Sequence, residues 1–279
     1  VFKSREVPVP SFDNLVPQAL VNLALNNKSS IQLSYAAKLV RPDISRLDPT
    51  VNTRDSLTVQ YGNPQLKPEL TNRYELGYTV NDVKLFKDFV LFFNDNRNTI
   101  ENIRFPAGNG IFESTWKNVG KDQRLGFSAT LNWKPVSALT LGAALTTQYA
   151  WLESRALGIS NKALMWRLVL NGTCKLPRGY SIDFYGFFDS NNLRLQGYRS
   201  GWKFYNMTLN RKFKNDRLAL GVRAEAFLTP HTYIDEVIKT PGYEQRQSYR
   251  YQNQSFRLTF SYKMGKKEMK APPVKSVDE

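Results

Sequence analysis

The sequence predicts an all-β chain that crosses a membrane as an antiparallel β-barrel, and three observations carry that expectation. About eleven segments alternate apolar and polar residues with a period of two, which only an extended strand can use. The connections alternate without exception between short turns, near residues 26, 81, 135, 176 and 214, and long loops, near 40, 99, 154, 191 and 229. The apolar faces carry no charge in their middle over spans of about ten residues, the length a tilted membrane strand requires. Soluble β-sandwiches also alternate, so the loop asymmetry and the uncharged spans decide. Trp133 at a short-turn end, and Trp151 and Trp166 at long-loop ends, fall on the apolar face where aromatic girdles sit.

Composition sets the outer limits. The mean hydropathy is -0.46 and 41% of residues are hydrophobic. No run approaches the roughly 18 apolar residues of a spanning helix, which excludes a helical membrane protein but leaves a barrel open. The balance of 39 Lys and Arg against 24 Asp and Glu gives a net charge of +15. The basic residues are scattered through loops, turns and tail with no nucleic-acid motif, so no nucleic-acid partner is expected. A single cysteine, Cys174, excludes an intrachain disulfide and reads as a buried small hydrophobe beside Leu168 and Leu170. Val1 to Arg5 lacks the apolar region of a signal peptide, so the chain is expected to be a processed form or a fragment.

Along the chain, residues 1 to 14, with Pro8 and Pro10, read as the end of a loop. Ala19, Val21, Leu23 and Leu25 mark the first strand, and Ile31, Leu33, Tyr35, Ala37 and Leu39 the second. Pro42, Pro49, Pro64 and Pro68 cannot donate to a ladder, so the segment up to Glu69 reads as a structured loop. Leu70, Tyr74, Leu76, Tyr78 and Val80 form the next strand. From 84 to 98 the register is open, because Phe89, Leu91 and Phe93 compete with Val90 and Phe92 for the apolar face. A loop around Pro106 to Gly110 precedes Leu125, Phe127, Ala129, Leu131 and Trp133. Leu139 to Trp151, Leu164 to Leu170, and Tyr180, Ile182, Phe184 and Phe188 continue the pattern. The last three strands run through Tyr205 to Phe213, Leu218 to Leu228 and Phe256 to Met264. No helix is required anywhere. Residues 1–265 are expected to form a partial barrel, and the charged tail 266–279 reads as disordered.

The stretch Tyr61-Gly62-Asn63-Pro64, then Leu66, Pro68 and Glu69, followed by Tyr74-Glu75-Leu76-Gly77-Tyr78, resembles the hallmark of TonB-dependent outer-membrane receptors. Ser34-Tyr35, Arg41-Pro42 and Leu47 with Pro49 narrow the resemblance to the outer-membrane β-barrel family common in Bacteroidetes. Leu209 to Phe213, Ala226 to Thr229 and the closing Phe256 to Gly265 extend it over most of the chain. The charged tail departs from the aromatic ending of many such barrels. The resemblance implies a barrel about twice this size, embedded in outer-membrane lipid with its long loops outside. It also implies an N-terminal barrel half, a plug and a TonB-contacting segment, none visible here, so the chain reads as a receptor's C-terminal part.

Chemistry beyond binding finds little support. His231 is the only histidine, in the loop after Pro230 with no motif around it, so no catalytic residue is expected. There is no Gly-rich phosphate loop and no metal-ligand cluster, hence no expected cofactor or metal. The polar faces place Arg73, Arg124, Arg167, Arg223 and Arg257 beside Glu75, Asp183 and Glu225, which predicts a charged, wet lumen with an arginine excess. Those arginines either pair with lumen carboxylates and hold a plug, or bind an anionic ligand. Tyr198, Trp202 and Tyr243 either stack on a ligand or pack the loops. The motif from Gly62 to Glu69 reads as structural. On lipid facing, Leu131→Arg near mid-bilayer is expected to cost about 2 to 4 kcal/mol and Thr130→Arg, facing the lumen, little. The resemblance implies energy-coupled import of an unidentified small molecule, a metal chelate, vitamin, oligosaccharide or peptide. A passive porin or structural barrel, and a soluble β-sandwich binding module, are the alternatives.

Overall fold

Alternation gives each strand one apolar and one polar edge, and the computed structural model pairs the strands so that apolar edges meet in rows. Residues 13–55, 57–213, 217–240 and 242–264 are described. The chain opens with β1 (Gln18–Asn26) and β2 (Ser29–Val40), then an excursion holding one helical turn, α1 (Ile44–Leu47), and the short strands β3 (Asn52–Asp55) and β4 (Thr58–Gln60). A meander follows of β5 (Glu69–Asn81), β6 (Leu85–Gly108), β7 (Ile111–Val136), β8 (Leu139–Ser154), β9 (Ile159–Lys175) and β10 (Tyr180–Asp189). The small pair β11 (Asn192–Arg194) and β12 (Gly197–Arg199) precedes β13 (Lys203–Phe213) and β14 (Leu218–Glu225). A hairpin of β15 (His231–Thr240) and β16 (Tyr243–Gln252) leads to β17 (Ser255–Tyr262).

Eleven strands form one antiparallel path in the order β1-β2-β5-β6-β7-β8-β9-β10-β13-β14-β17, with β3 and β4 attached beside β7. Strands β11, β12, β15 and β16 make a separate four-stranded sheet. Cross-strand pairing aligns Val21, Leu33, Leu76, Leu91 and Phe127 in a single apolar row from β1 to β7. Such pairs are the unit by which a sheet is stabilised and its register fixed. Among the described residues nothing covers this face: Leu76 is 50% and Leu91 49% exposed, and Leu258 on β17 reaches 85%. A soluble sandwich would bury this surface under a second sheet, whereas the loop-end sheet lies at the opposite, polar face. Among the described residues no helix is long and apolar enough to cross a membrane.

The open register of the strand beginning at 84 is resolved by the same rows. Phe93, Leu91 and Phe89 pair with Tyr74, Leu76 and Tyr78 on the apolar face. Phe92 faces the polar side, where it is buried beneath the Arg73 guanidinium, 4.6 Å from the ring centroid. Gly126 makes the room: a Cβ there would stand 2.3 Å from Phe92 Cζ.

Several expected loops are strands. The segment around 99 to 116 continues β6 and β7 into a long arm whose tip turns through Gly108, Asn109 and Gly110, all at positive φ. Those residues mark a hairpin tip, and the polar flanks gave no apolar face by which to recognise pairing. Near 154 only residues 155–158 separate β8 from β9, so that connection is short. The segments near 191 and 229 contain β11, β12, β15 and β16, and His231 opens β15 instead of lying in a loop. Helix is present after all, in α1 and in a 3-10 turn at Pro177–Gly179. Cys174 is half-buried on the apolar face between Leu139 and Ile182. The expected loop end before residue 13, the turn at 214–216 and the tail 266–279 lie outside the described residues.

The core is not where the alternation places apolar surface. Ala150, Leu152 and Met165 point to the polar face at the long-loop end of β8 and β9, and bury against Ile103 of the arm and Leu195 of the β11–β12 turn. The loop structure therefore folds over the polar face.

Candidate functional site

The polar wall is lined with arginines, and each of the five expected there lies against a carboxylate. Arg73 binds Glu75 at 2.6 Å and donates to Asn94 at 3.1 Å. Arg124 donates to both oxygens of Asp122, at 2.9 and 2.6 Å. Arg167 makes a two-pronged contact across the strand pair to Asp189, at 2.6 and 2.8 Å, the fork geometry that suits guanidinium and carboxylate. Arg223 and Arg257 face each other across β14 and β17, and Glu225 bridges them at 2.9 and 3.2 Å. Asp183 accepts from Thr173 Oγ1 and Asn210 Nδ2 instead of from an arginine. The wall is charged and largely paired within itself: four carboxylates hold its five arginines, with Glu225 shared by Arg223 and Arg257.

A second set of arginines stands at the mouth. A cleft of about 370 Å³ opens between the β6–β7 arm and the four-stranded sheet, lined by Gln60, Asn102, Arg104, Trp116, Arg194, Gln196 and Glu236 among others. Gln196 fixes its width, because its side-chain oxygen accepts from Arg104 N at 2.9 Å and its amide donates to Arg104 O at 3.0 Å. Arg194 pairs with Glu236. Arg104 reaches the neutral Gln245 side chain. Arg199 shares a sheet face with Glu236, since the two are cross-strand partners. Neither Arg104 nor Arg199 has a carboxylate partner among the described residues, and the Nε of each is buried without a hydrogen bond. Tyr243 stacks on Phe112 with centroids 4.7 Å apart, Trp202 on Tyr251 at 4.9 Å, and the Tyr198 hydroxyl accepts from Arg246. These loop aromatics pack the loops together. Burial pushes the Tyr243 phenol up, against an opposing effect of Arg104.

A family model described as the outer membrane protein beta-barrel family matches residues 4–262. The chain belongs to the outer membrane protein beta-barrel family. Its sheet is similar to solved receptor barrels. The ferric enterobactin receptor PfeA of Pseudomonas aeruginosa, as a mutant in complex with enterobactin, superposes with a TM-score of 0.60 at 16% identity, covering 89% of this chain and 40% of that one. The copper transporter OprC gives 0.61 at 12% identity, with 88% and 39% covered. The ferric yersiniabactin uptake receptor FyuA of Yersinia pestis gives 0.60 at 10%, with 88% and 37% covered. At such identities the likeness is one of fold, and it is the barrel fold of TonB-dependent receptors that the motif resembles. The chain spans about 40% of the length of the PfeA chain it matches. No curated protein matches it.

An outer membrane barrel of this family is expected to meet lipid with the exposed apolar face, which would make the arginine-lined face its lumen side. The motif residues sit above that wall. Gly62 N donates to Asp48 O at 2.8 Å and Asn63 N to Arg46 O at 2.7 Å, while Asn63 Nδ2 donates to Trp116 O on the arm at 3.0 Å. Arg46 stacks on the Trp116 ring at 4.5 Å. Tyr61 donates its hydroxyl to Glu113, and Leu66 and Pro68 are buried. Pro64, half-buried, follows Asn63 into the turn, where Gln65 N binds Asn63 Oδ1 at 3.0 Å. Glu69 accepts from Ile100 N at 2.9 Å. Arg41 and Pro42 open the excursion, Arg41 exposed. The motif thus ties the 41–69 excursion to the arm that forms one side of the cleft.

Above the wall, burial and the nearby carboxylates Asp122 and Glu69 push the Glu101 carboxyl up. A raised folded-state value means that the native arm binds a proton more readily than the unfolded chain, so stability is lost as pH rises through that value. Glu101→Gln is therefore expected to protect the arm at pH 7, with the gain vanishing below the ordinary glutamate range. Hydrogen exchange at arm amides, corrected for intrinsic rates, checks this; equal protection of both proteins at pH 7 would refute it. Glu69, Glu101 and Asp122 are no metal site: among the described residues no such group is placed to hold an ion. His231 Nε2 meets Arg250 at 2.8 Å.

Sequence reasoning missed two features. Tyr185 and Phe187 on β10 and Phe204 on β13 form an aromatic cluster on the lumen side, with centroids 5.8 to 6.5 Å apart. In an all-aromatic run such as Phe184 to Phe188 the period of two has no polar phase to mark it. The cleft arginines Arg104 and Arg194, and Arg199 on the neighbouring strand, were hidden in segments read as loops; the only signal was their recurrence near turn residues.

Proposed function

We infer that this chain is the ligand-presenting part of a TonB-dependent receptor that imports a scarce nutrient across the outer membrane, with anionic chelates captured first in the mouth cleft. The observation that carries this reading is the contrast between the two arginine sets. Each wall arginine contacts a carboxylate, Arg223 and Arg257 sharing Glu225, whereas Arg104, which lines the cleft, and Arg199, on the sheet face of Glu236, have no carboxylate partner among the described residues. A half-buried guanidinium with no carboxylate partner keeps donors for an anion, and a ligand carboxylate or catecholate oxygen is the natural complement. The neighbours in fold include receptors for ferric enterobactin and ferric yersiniabactin and a copper transporter, which supports a metal chelate within the nutrient class. A plug inside the barrel and a TonB-contacting segment belong to this reading.

The test uses the full-length receptor that contains this chain, in cells lacking other ferric catecholate receptors. Labelled ferric enterobactin is expected to accumulate against its gradient and to stop accumulating when a protonophore collapses the inner-membrane motor force. Uptake indifferent to the protonophore, or an open ion-conducting pore in planar bilayers, would instead make the protein a porin. Arg104→Gln and Arg199→Gln should each weaken chelate binding by about 1.5 to 3 kcal/mol, the worth of a hydrogen bond to a charged group, or roughly 10- to 100-fold in Kd. Arg124→Gln, on the wall, should leave Kd within about twofold, because that side chain is already committed to Asp122.

A further inference from the structure

We propose that the lipid-facing groove below Arg211 is a binding site for an anionic glycerophospholipid, with Arg211 holding the phosphate and Leu209, Val222 and Leu258 cradling an acyl chain. The groove has a volume of about 370 Å³ and runs between β13, β14 and β17 on the apolar face. Two cross-strand rows build it. Tyr180, Arg211, Leu220 and Phe260 form the row nearest the short turns, and Leu209, Val222 and Leu258 lie in the next row toward the membrane centre.

Arg211 is the unexpected member of this face. It lies two residues from the end of β13, and its guanidinium is held between the Tyr180 ring at 4.9 Å and the Phe213 ring at 4.4 Å. Its Nε is buried without a hydrogen-bond partner, and no carboxylate pairs with it among the described residues. A charged side chain on a lipid-facing strand is costly unless it reaches the headgroup level. Two aromatic faces supply cation–π attraction but no acceptor for the N–H donors. The missing acceptor is an anionic oxygen at the depth of the headgroups, and directly below it is a channel of apolar side chains.

The surroundings favour a net negative headgroup over a zwitterionic one. Arg178 and Arg217, in the adjoining turns, stand at the same rim, while Lys212 and Lys263 follow the polar phase of their strands. Asp183, the nearest acidic residue on β10, is already engaged by Thr173 and Asn210 on the other face. Such a basic rim attracts an anionic leaflet. This inference is independent of what the barrel imports.

The full-length receptor, purified in detergent, is offered phosphatidylglycerol, phosphatidylethanolamine or inorganic phosphate and its adducts are read by native mass spectrometry. Phosphatidylglycerol is expected to bind in preference to phosphatidylethanolamine. Arg211→Gln should cut that preference about fivefold, the worth of one basic side chain at an anionic surface, and Arg211→Lys should keep part of it. Val222→Phe, which fills the groove and leaves Arg211 in place, should lose the lipid adduct while heat-modifiability on gels shows the barrel still folded. Equal retention of the two lipids, an Arg211→Gln protein with undiminished preference, or displacement of lipid by inorganic phosphate alone would overturn the proposal.

Discussion

Ala129→Arg is expected to cost the barrel about 2 to 4 kcal/mol of folding free energy in a bilayer, whereas Thr130→Arg, one residue along β7, should cost next to nothing. Ala129 sits in the apolar row between Phe89 and Leu145, at the centre of the outward run from Leu125 to Trp133. An arginine there must drag its charge to an interface several residues away. Thr130 points to the lumen between Asp88 and Ala144, where a guanidinium gains a carboxylate and water. Leu131, the position the sequence alone placed near mid-bilayer, is paired with Lys87 and is one outward step from Trp133. It therefore lies two residues toward the short-turn side, and Leu131→Arg should cost less than Ala129→Arg, between the midplane value and the roughly 0 to 1 kcal/mol of the interface. Reversible folding into phosphatidylcholine vesicles across a denaturant series measures all three. A flat profile across 129, 130 and 131 would refute the facing and the depth together.

The elements that were legible in the sequence are those whose two faces differ in chemistry. Leu125 to Trp133 shows its strand and its outward side because Arg124, Ser128 and Thr130 alternate with it, and the pairs with β6 and β8 fall on that phase. The strand from 84 to 98 was not legible because Phe92 is apolar yet faces the lumen, a choice that depends on Gly126 and Arg73 from neighbouring strands. Beyond the membrane the rule fails for a different reason. There the wall is covered on its inner side by loop structure, so Ala150, Leu152 and Met165 turn inward, and the arm alternates polar with polar. The arginines of the polar face were recognisable by their phase, but their partners were not. Asp122 and Asp189 bind arginines through geometry that no spacing encodes uniquely, and the unpaired Arg104 becomes distinct only once Gln196, far along the chain, is seen to clamp its backbone.

Leu66→Ala is expected to undock the 41–69 excursion while leaving the barrel wall intact. Leu66 is 1% exposed, and emptying so complete a site typically costs about 2 to 5 kcal/mol. That cost is confined, because the excursion touches the main sheet through the short β4–β7 pairing and the motif's bonds to the arm, outside the eleven-strand path. Gly62→Ala should act in the same direction by another route. A Cβ at position 62 would stand 2.4 Å from Asp48 O and 2.6 Å from Arg46 O, the two carbonyls that accept from Gly62 N and Asn63 N. The backbone must retreat, and both hydrogen bonds go with it. Local opening of this kind exposes amides from Tyr61 to Lys67 to exchange without changing the protection of Leu76 or Leu91. Arg46 would leave Trp116 at the same time, loosening one side of the cleft, so weaker ligand binding should accompany the faster exchange. If exchange rises equally in the excursion and in the strands, or in neither, the motif is not the tie that the geometry indicates.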